Sequence, residues 1–263
     1  MANLFKWEAG KYGALMRLFA ERLTIEEGEK LLQNPGIVDR MVATLRVSAE
    51  GHPDRGGLSD KESEEVVEYL VPLTNAEVPA EHQETLAKYR RLAIEHGVAS
   101  DVPLCYKVRA GFTLKKHAPQ AGPCREGFRY LQEWDFEDTP TQDALVFWVP
   151  RLLKDSTSKT VDEQMQLLSA LRQYLALSEH HLSSFGEISL VAGLILAHFK
   201  ATGERVPVDA LFARSDTCFA GGNLLHLGDF CGRGLDCDVW YWVDGQPGNI
   251  GVFALGVDHV IRE

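Results

Sequence analysis

The chain has 263 residues, 45% of them hydrophobic and 25% charged, and 27 basic against 38 acidic side chains give a formal net charge of −11. That supports a buried core without disulfide or metal staples and excludes disordered, collagen-like and coiled-coil chains. The acid excess argues against a protein whose main task is to neutralise nucleic-acid phosphate or an anionic membrane surface, so neither partner is expected.

The first ten residues lack the basic and apolar pattern of a secretory signal, so a cytoplasmic protein is expected. The most apolar run, Ile188 to Phe199, is well short of the ~20 residues that span a bilayer and reads as a buried helix. Five cysteines (Cys105, Cys124, Cys218, Cys231, Cys237) without a Cys-x-x-Cys pair read as reduced, packed thiols.

In chain order, Tyr12, Leu15, Met16, Phe19 and Leu23 share one helical face, and Thr24 with Glu27 has the capping-box spacing. A second stripe, Ile37 to Leu45, follows Asn34-Pro35. Ser59 with Glu62 predicts a further helix through Val66, Val67, Leu70 and Val71, and another runs from about Pro79 to His96, closed by Gly97. The period then changes to two. Val102 to Lys115 alternates apolar residues with Lys107, Arg109 and Lys115, predicting a strand with a basic face, and Phe128 to Phe136 predicts its hairpin partner. The unbroken apolar run Ala144 to Val149 predicts a buried strand. Thr160 with Glu163 and Ser184 with Glu187 cap two helices, the second ending near Gly203. Gly-rich turns then separate short runs, including the alternating Leu235 to Asp244, and predict a β-meander.

The resulting fold class is mixed α+β: an N-terminal helical layer (1–97), a central α/β region with a hairpin, a strand and two helices (98–203), and a small antiparallel β unit (204–263).

At the C-terminal end, Ala197-His198-Phe199-Lys200, Arg214-Ser215-Asp216-Thr217-Cys218, Leu227-Gly228-Asp229-Phe230 and Gly251 to Val257 resemble a segment of uncharacterised proteins from candidate-phylum bacteria, over roughly residues 180 to 260. That resemblance implies a bacterial protein and carries no activity, cofactor or site residue. His52-Pro53-Asp54 resembles the loop by which J-domain co-chaperones engage an Hsp70 partner, which would imply such a partner here. The helix before it offers only Arg40 and Arg46 where that family has a dense basic face, and the one after is acidic. Pro-Asp-x-Gly is also ordinary turn chemistry.

Several constellations could carry chemistry. Cys218, His226, Cys231 and Cys237 are thiolate and imidazole ligand types that suit tetrahedral zinc, although no close pair lets one turn supply two ligands, and packed thiols explain them too. His180 and His181 with Glu187 offer imidazole beside carboxylate, the material of general acid–base catalysis and equally of a solvated loop. Asp236, Asp238, Trp240 and Trp242 share one expected strand face, where indoles flanked by acids can hold a sugar or a cation, or be covered by helices. Asp135, Glu137, Asp138 and Asp143 are an acid cluster around a turn. Nucleotide and zinc-protease motifs such as G-x-x-x-x-G-K-[ST], G-x-G-x-x-G after a strand and H-E-x-x-H are missing.

The sequence therefore favours a non-enzymatic binding or interaction protein with a protein or small-molecule partner and no cofactor. The alternatives are a metal-assisted, hydrolase-like enzyme, with zinc as the metal, and a J-domain-like co-chaperone.

Overall fold

In a computed structural model, residues 68–220, 222–239 and 247–259 are described. The expected helices before residue 68, the His52-Pro53-Asp54 loop and the Trp240 and Trp242 indoles lie outside them. The chain divides between Glu65 and Val66, and every element below belongs to the second unit. The class is mixed α+β, with two four-stranded sheets. No helix among the described residues is long and apolar enough to cross a membrane.

The elements are β1 (Leu70–Leu73), α1 (Gln83–Glu95), β2 (Cys105–Val108), α2 (Leu114–Ala121), β3 (Ala144–Leu152), α3 (Val161–Tyr174), α4 (Ile188–Thr202), β4 (Phe212–Cys218), β5 (Leu224–Cys231), β6 (Gly234–Val239), β7 (Ile250–Gly251) and β8 (Phe253–His259), with 3-10 turns at Ala80–His82 and Arg125–Glu133. The first sheet has the order β1-β2-β3-β8 and the second β6-β5-β4-β7. All pairings are antiparallel except β4 with β7. β4, β5 and β6 form the expected meander, whereas β8 leaves it to pair with β3. The first sheet thus takes strands from all three of the regions anticipated at 1–97, 98–203 and 204–263.

The first sheet is covered on both faces, which explains why Ala144 to Pro150 are all buried. Val146 and Trp148 face a core shared with α4 and the second sheet. Leu145, Phe147 and Val149 face a separate core with Tyr89 and Leu92 of α1 and Leu168 of α3. Helices α1, α3 and α4 fall where periodicity places them. Gly97 and Gly203 follow α1 and α4 in the left-handed region, both at φ 74°. Thr160 and Glu163 close the expected capping box on α3.

Three expectations are corrected. Leu70 and Val71 lie on a strand, and Pro72, which lacks an N–H, is accommodated because β1 is an edge strand. The long strand from Val102 is only β2. It ends before Gly111 at φ 106°, and α2 begins at Leu114, where the Asp138 carboxylate accepts the Leu114 and Lys115 N–H groups at 2.8 Å each. The basic residues are thereby split between β2, a turn and α2. The Phe128 to Phe136 run is no hairpin strand. It holds most of a 3-10 segment that turns through left-handed Glu126, Gly127 and Phe128 to bury Phe128 and Leu131.

A candidate ligand cleft beside a buried histidine network

The face of the first sheet that carries Val146 continues past the start of α4 into a cleft of about 440 Å³. Cross-strand register puts Ala144 beside His259 and Val146 beside Val257, so these four point the same way. Val108 and Leu190 complete an apolar floor, and the rim carries His180, Ser183, Ser184, Glu187, Asp216 and His259.

The segment from His180 to Glu187 forms one wall and is tied down at several points. Leu182 N–H donates to Leu255 O at 2.8 Å, and His181 bridges to Gly256. The Asp216 carboxylate accepts the Phe185 and Gly186 N–H groups at 3.2 and 2.7 Å, while Asp216 N–H returns to Gly186 O at 2.9 Å. The start of α4 was expected to be capped by Ser184 with Glu187. Instead Thr217 Oγ1 of β4 accepts the Ile188 N–H at 2.9 Å and donates to Glu187 Oε2 at 2.6 Å. The cap comes from β4 because the helix N-terminus lies against that strand.

His180 and His181 part company at this wall. His180 is exposed at the cleft, and its only ion-pair contact among the described residues is Glu179 at 4.0 Å. His181 is buried on the α1 side of the sheet, where Nε2 meets Asp258 Oδ1 at 3.2 Å and Nδ1 meets Tyr89 Oη at 3.2 Å. His82 Nδ1 lies 3.2 Å from the other oxygen of Asp258. Burial holds His181 below its usual pKa. Asp258 opposes that shift, while His180 and His82 add to it. A neutral His181 fits one tautomer, with Nε2–H donating to the carboxylate and Nδ1 accepting from the Tyr89 hydroxyl. Gly256 makes room for this, because a Cβ there would run into His181 Nδ1 and Tyr89 Oη. The nearby Cys105 thiol is pushed up to about 12 by burial and is no thiolate nucleophile. The network is therefore a structural tie between α1, β8 and the cleft wall. Of the three residues considered for acid–base chemistry, the cleft gathers His180 and Glu187 and leaves His181 behind the sheet.

The other candidates are dispersed. Cys218 is exposed and Cys231 half-buried. Cys237 pairs with Leu227 facing the α4 core, while His226, one residue earlier on β5, points to the opposite face. Among the described residues no group of three or more His, Cys, Asp or Glu is placed to hold a metal ion. Asp236 is engaged by Arg125 in an ion pair and by the Tyr130 hydroxyl at 2.7 Å, whereas Asp238 is exposed. In the acid cluster, Asp138 caps α2 and Asp143 accepts the Ala110 N–H at 3.0 Å.

Sequence reasoning missed His82, Tyr89, Asp258, His259 and Asp216. They lie far apart in the chain, and strand register together with the packing of α1 on the first sheet assembles them. Compared with known proteins, the chain matches no family model, no curated protein and no solved structure.

Proposed function

We propose that the protein is a binding protein that takes a small amphipathic molecule into the cleft without transforming it. The observation that carries this reading is the apolar sheet face of Val108, Ala144, Val146 and Val257 opening into a cavity of about 440 Å³ rimmed by His180, His259, Ser183 and Glu187. A volume of this order suits one small ligand, with an apolar body on the floor and a hydroxyl, amide or carboxylate end at the rim. Binding is favoured over catalysis because no rim hydroxyl is hydrogen-bonded to an imidazole among the described residues, and His181 with its carboxylate partner is turned away from the cleft.

The test is a panel of short-chain and aromatic acids, amines, alcohols, sugars and nucleosides, read as a shift in Tm of the full chain. A true ligand at 100 times its Kd stabilises by about 2.7 kcal/mol. At least one class is expected to give a saturable rise, and Val257→Phe, which fills the cleft, is expected to abolish it. A panel without a saturable response, or one equally effective on Val257→Phe, contradicts the proposal.

A further inference from the structure

The face of the second sheet turned toward α3 carries a buried cation without a described counter-charge. Arg214 of β4 is 6% exposed. Its Nε donates to Gln164 Oε1 at 2.5 Å, which is the guanidinium's only hydrogen bond among the described residues. Gln164 is fixed for this purpose, since its amide nitrogen donates to Ser156 O at 2.7 Å and Ile250 O at 3.0 Å, leaving the carbonyl for Arg214. The ring of Phe185 lies 6.0 Å from the guanidinium carbon. Directly across the β4–β5 ladder sits His226, 2% exposed, whose Nε2 has no partner among the described residues.

Nearby acids do not neutralise Arg214. The Asp216 carboxylate is taken up by the Phe185 and Gly186 N–H groups, and Asp238, across from His226 on β6, is exposed and accepts the Val239 N–H. No described carboxylate lies within ion-pair distance of the guanidinium. Burial lowers Arg214 to about 10, so the group is still a cation at neutral pH. Taking a charge out of water costs more than a single hydrogen bond to it returns. The terminal nitrogens of Arg214 have no hydrogen-bond partner among the described residues, and the free edge of a guanidinium donates to two oxygens of one oxyanion side by side.

We propose that Arg214 and His226 form a binding site for a small oxyanion, a phosphate or a carboxylate, held by the terminal nitrogens of Arg214 and by His226 Nε2–H. Gln164 is the positioning residue, because it orients the fork through Nε. The neutral His226 imidazole supplies one donor in its Nε2–H tautomer. The site does not rest on the cleft.

The experiment follows binding of inorganic phosphate, sulfate and acetate to the full chain by calorimetry and Tm, with ionic strength held by sodium chloride. The expected result is saturable 1:1 binding of at least one oxyanion beyond the chloride control. Affinity should be at least tenfold weaker in Arg214→Lys, lost in Arg214→Met and unchanged in Val257→Phe. Phosphate with sulfate against acetate separates tetrahedral from carboxylate preference. Because Arg214→Met risks misfolding, the ring ¹⁵N signals of His226 in the wild-type protein are followed in the same titration, and they should move with the same midpoint. No response beyond chloride, an equal response in folded Arg214 variants, or a His226 ring that does not move overturns the proposal.

Discussion

Besides His181, two buried imidazoles are expected to limit the acid tolerance of the fold. His198 of α4 packs edge-on against Trp148 with Nδ1 unpartnered among the described residues, and His226 lies beside the Arg214 cation. Burial lowers His198 to about 4. Burial, with Arg214 adding, lowers His226 to about 3. In the unfolded chain both titrate near 6.5, so below that pH protons bind preferentially to the unfolded state. Stability is then fully present above about pH 6.5 and falls as pH drops toward the folded values, by a few kcal/mol for each group. Urea unfolding at pH 7.5, 5.5 and 4.5 is expected to show this slope, and His198→Leu is expected to flatten it. An unchanged slope in that variant would place the acid sensitivity elsewhere. Such single-residue properties are only partly legible in a sequence. The apolar run Ile188 to Phe199, read as a buried helix, places His198 in the interior, and the residue is 5% exposed. Nothing local to His82, Tyr89, His181 or Asp258 announces that they meet, because the Tyr89–His181–Asp258–His82 chain is made by strand register and by the crossing of α1.

Helix starts separate what the sequence can show from what it hides. The box of Thr160 and Glu163 is closed by neighbours and was readable as a spacing. The starts of α2 and α4 are capped from afar, by Asp138 and Thr217, and only the folded chain brings those oxygens to the N–H groups. Thr217→Val removes both the acceptor for Ile188 N–H and the donor to Glu187, so it is expected to cost about 1–2 kcal/mol. Thr160→Ala, losing one local cap, is expected to cost about 1 kcal/mol. Urea denaturation of the two variants measures the comparison, and a Thr217→Val cost below about 0.5 kcal/mol would contradict the capping role. The same locality explains the misread strands. Alternation from Val102 to Lys115 is real, but Gly111 and the distant Asp138 cap divide it into a strand, a turn and a helix. Phe128 and Leu131 are buried as expected of apolar positions, yet by a 3-10 turn rather than a strand.

At the scale of the molecule, β8 joins what the sequence suggests are separate regions. It pairs with β3 in the centre of the chain, carries Asp258 toward α1 and turns Val257 and His259 into the cleft. One strand thus serves the buried histidine network on one face and the cleft on the other, since successive side chains alternate across the sheet. The most direct test of the cleft as a ligand site is a methyl NMR titration of the full chain, labelled at valine and leucine, with the best compound from the panel. The account predicts saturable shifts concentrated at Val108, Val146, Leu190 and Val257, with Leu92 and Leu168 on the α1 and α3 side unmoved. Saturable binding whose shifts fall elsewhere and leave these four methyl groups in place would contradict it.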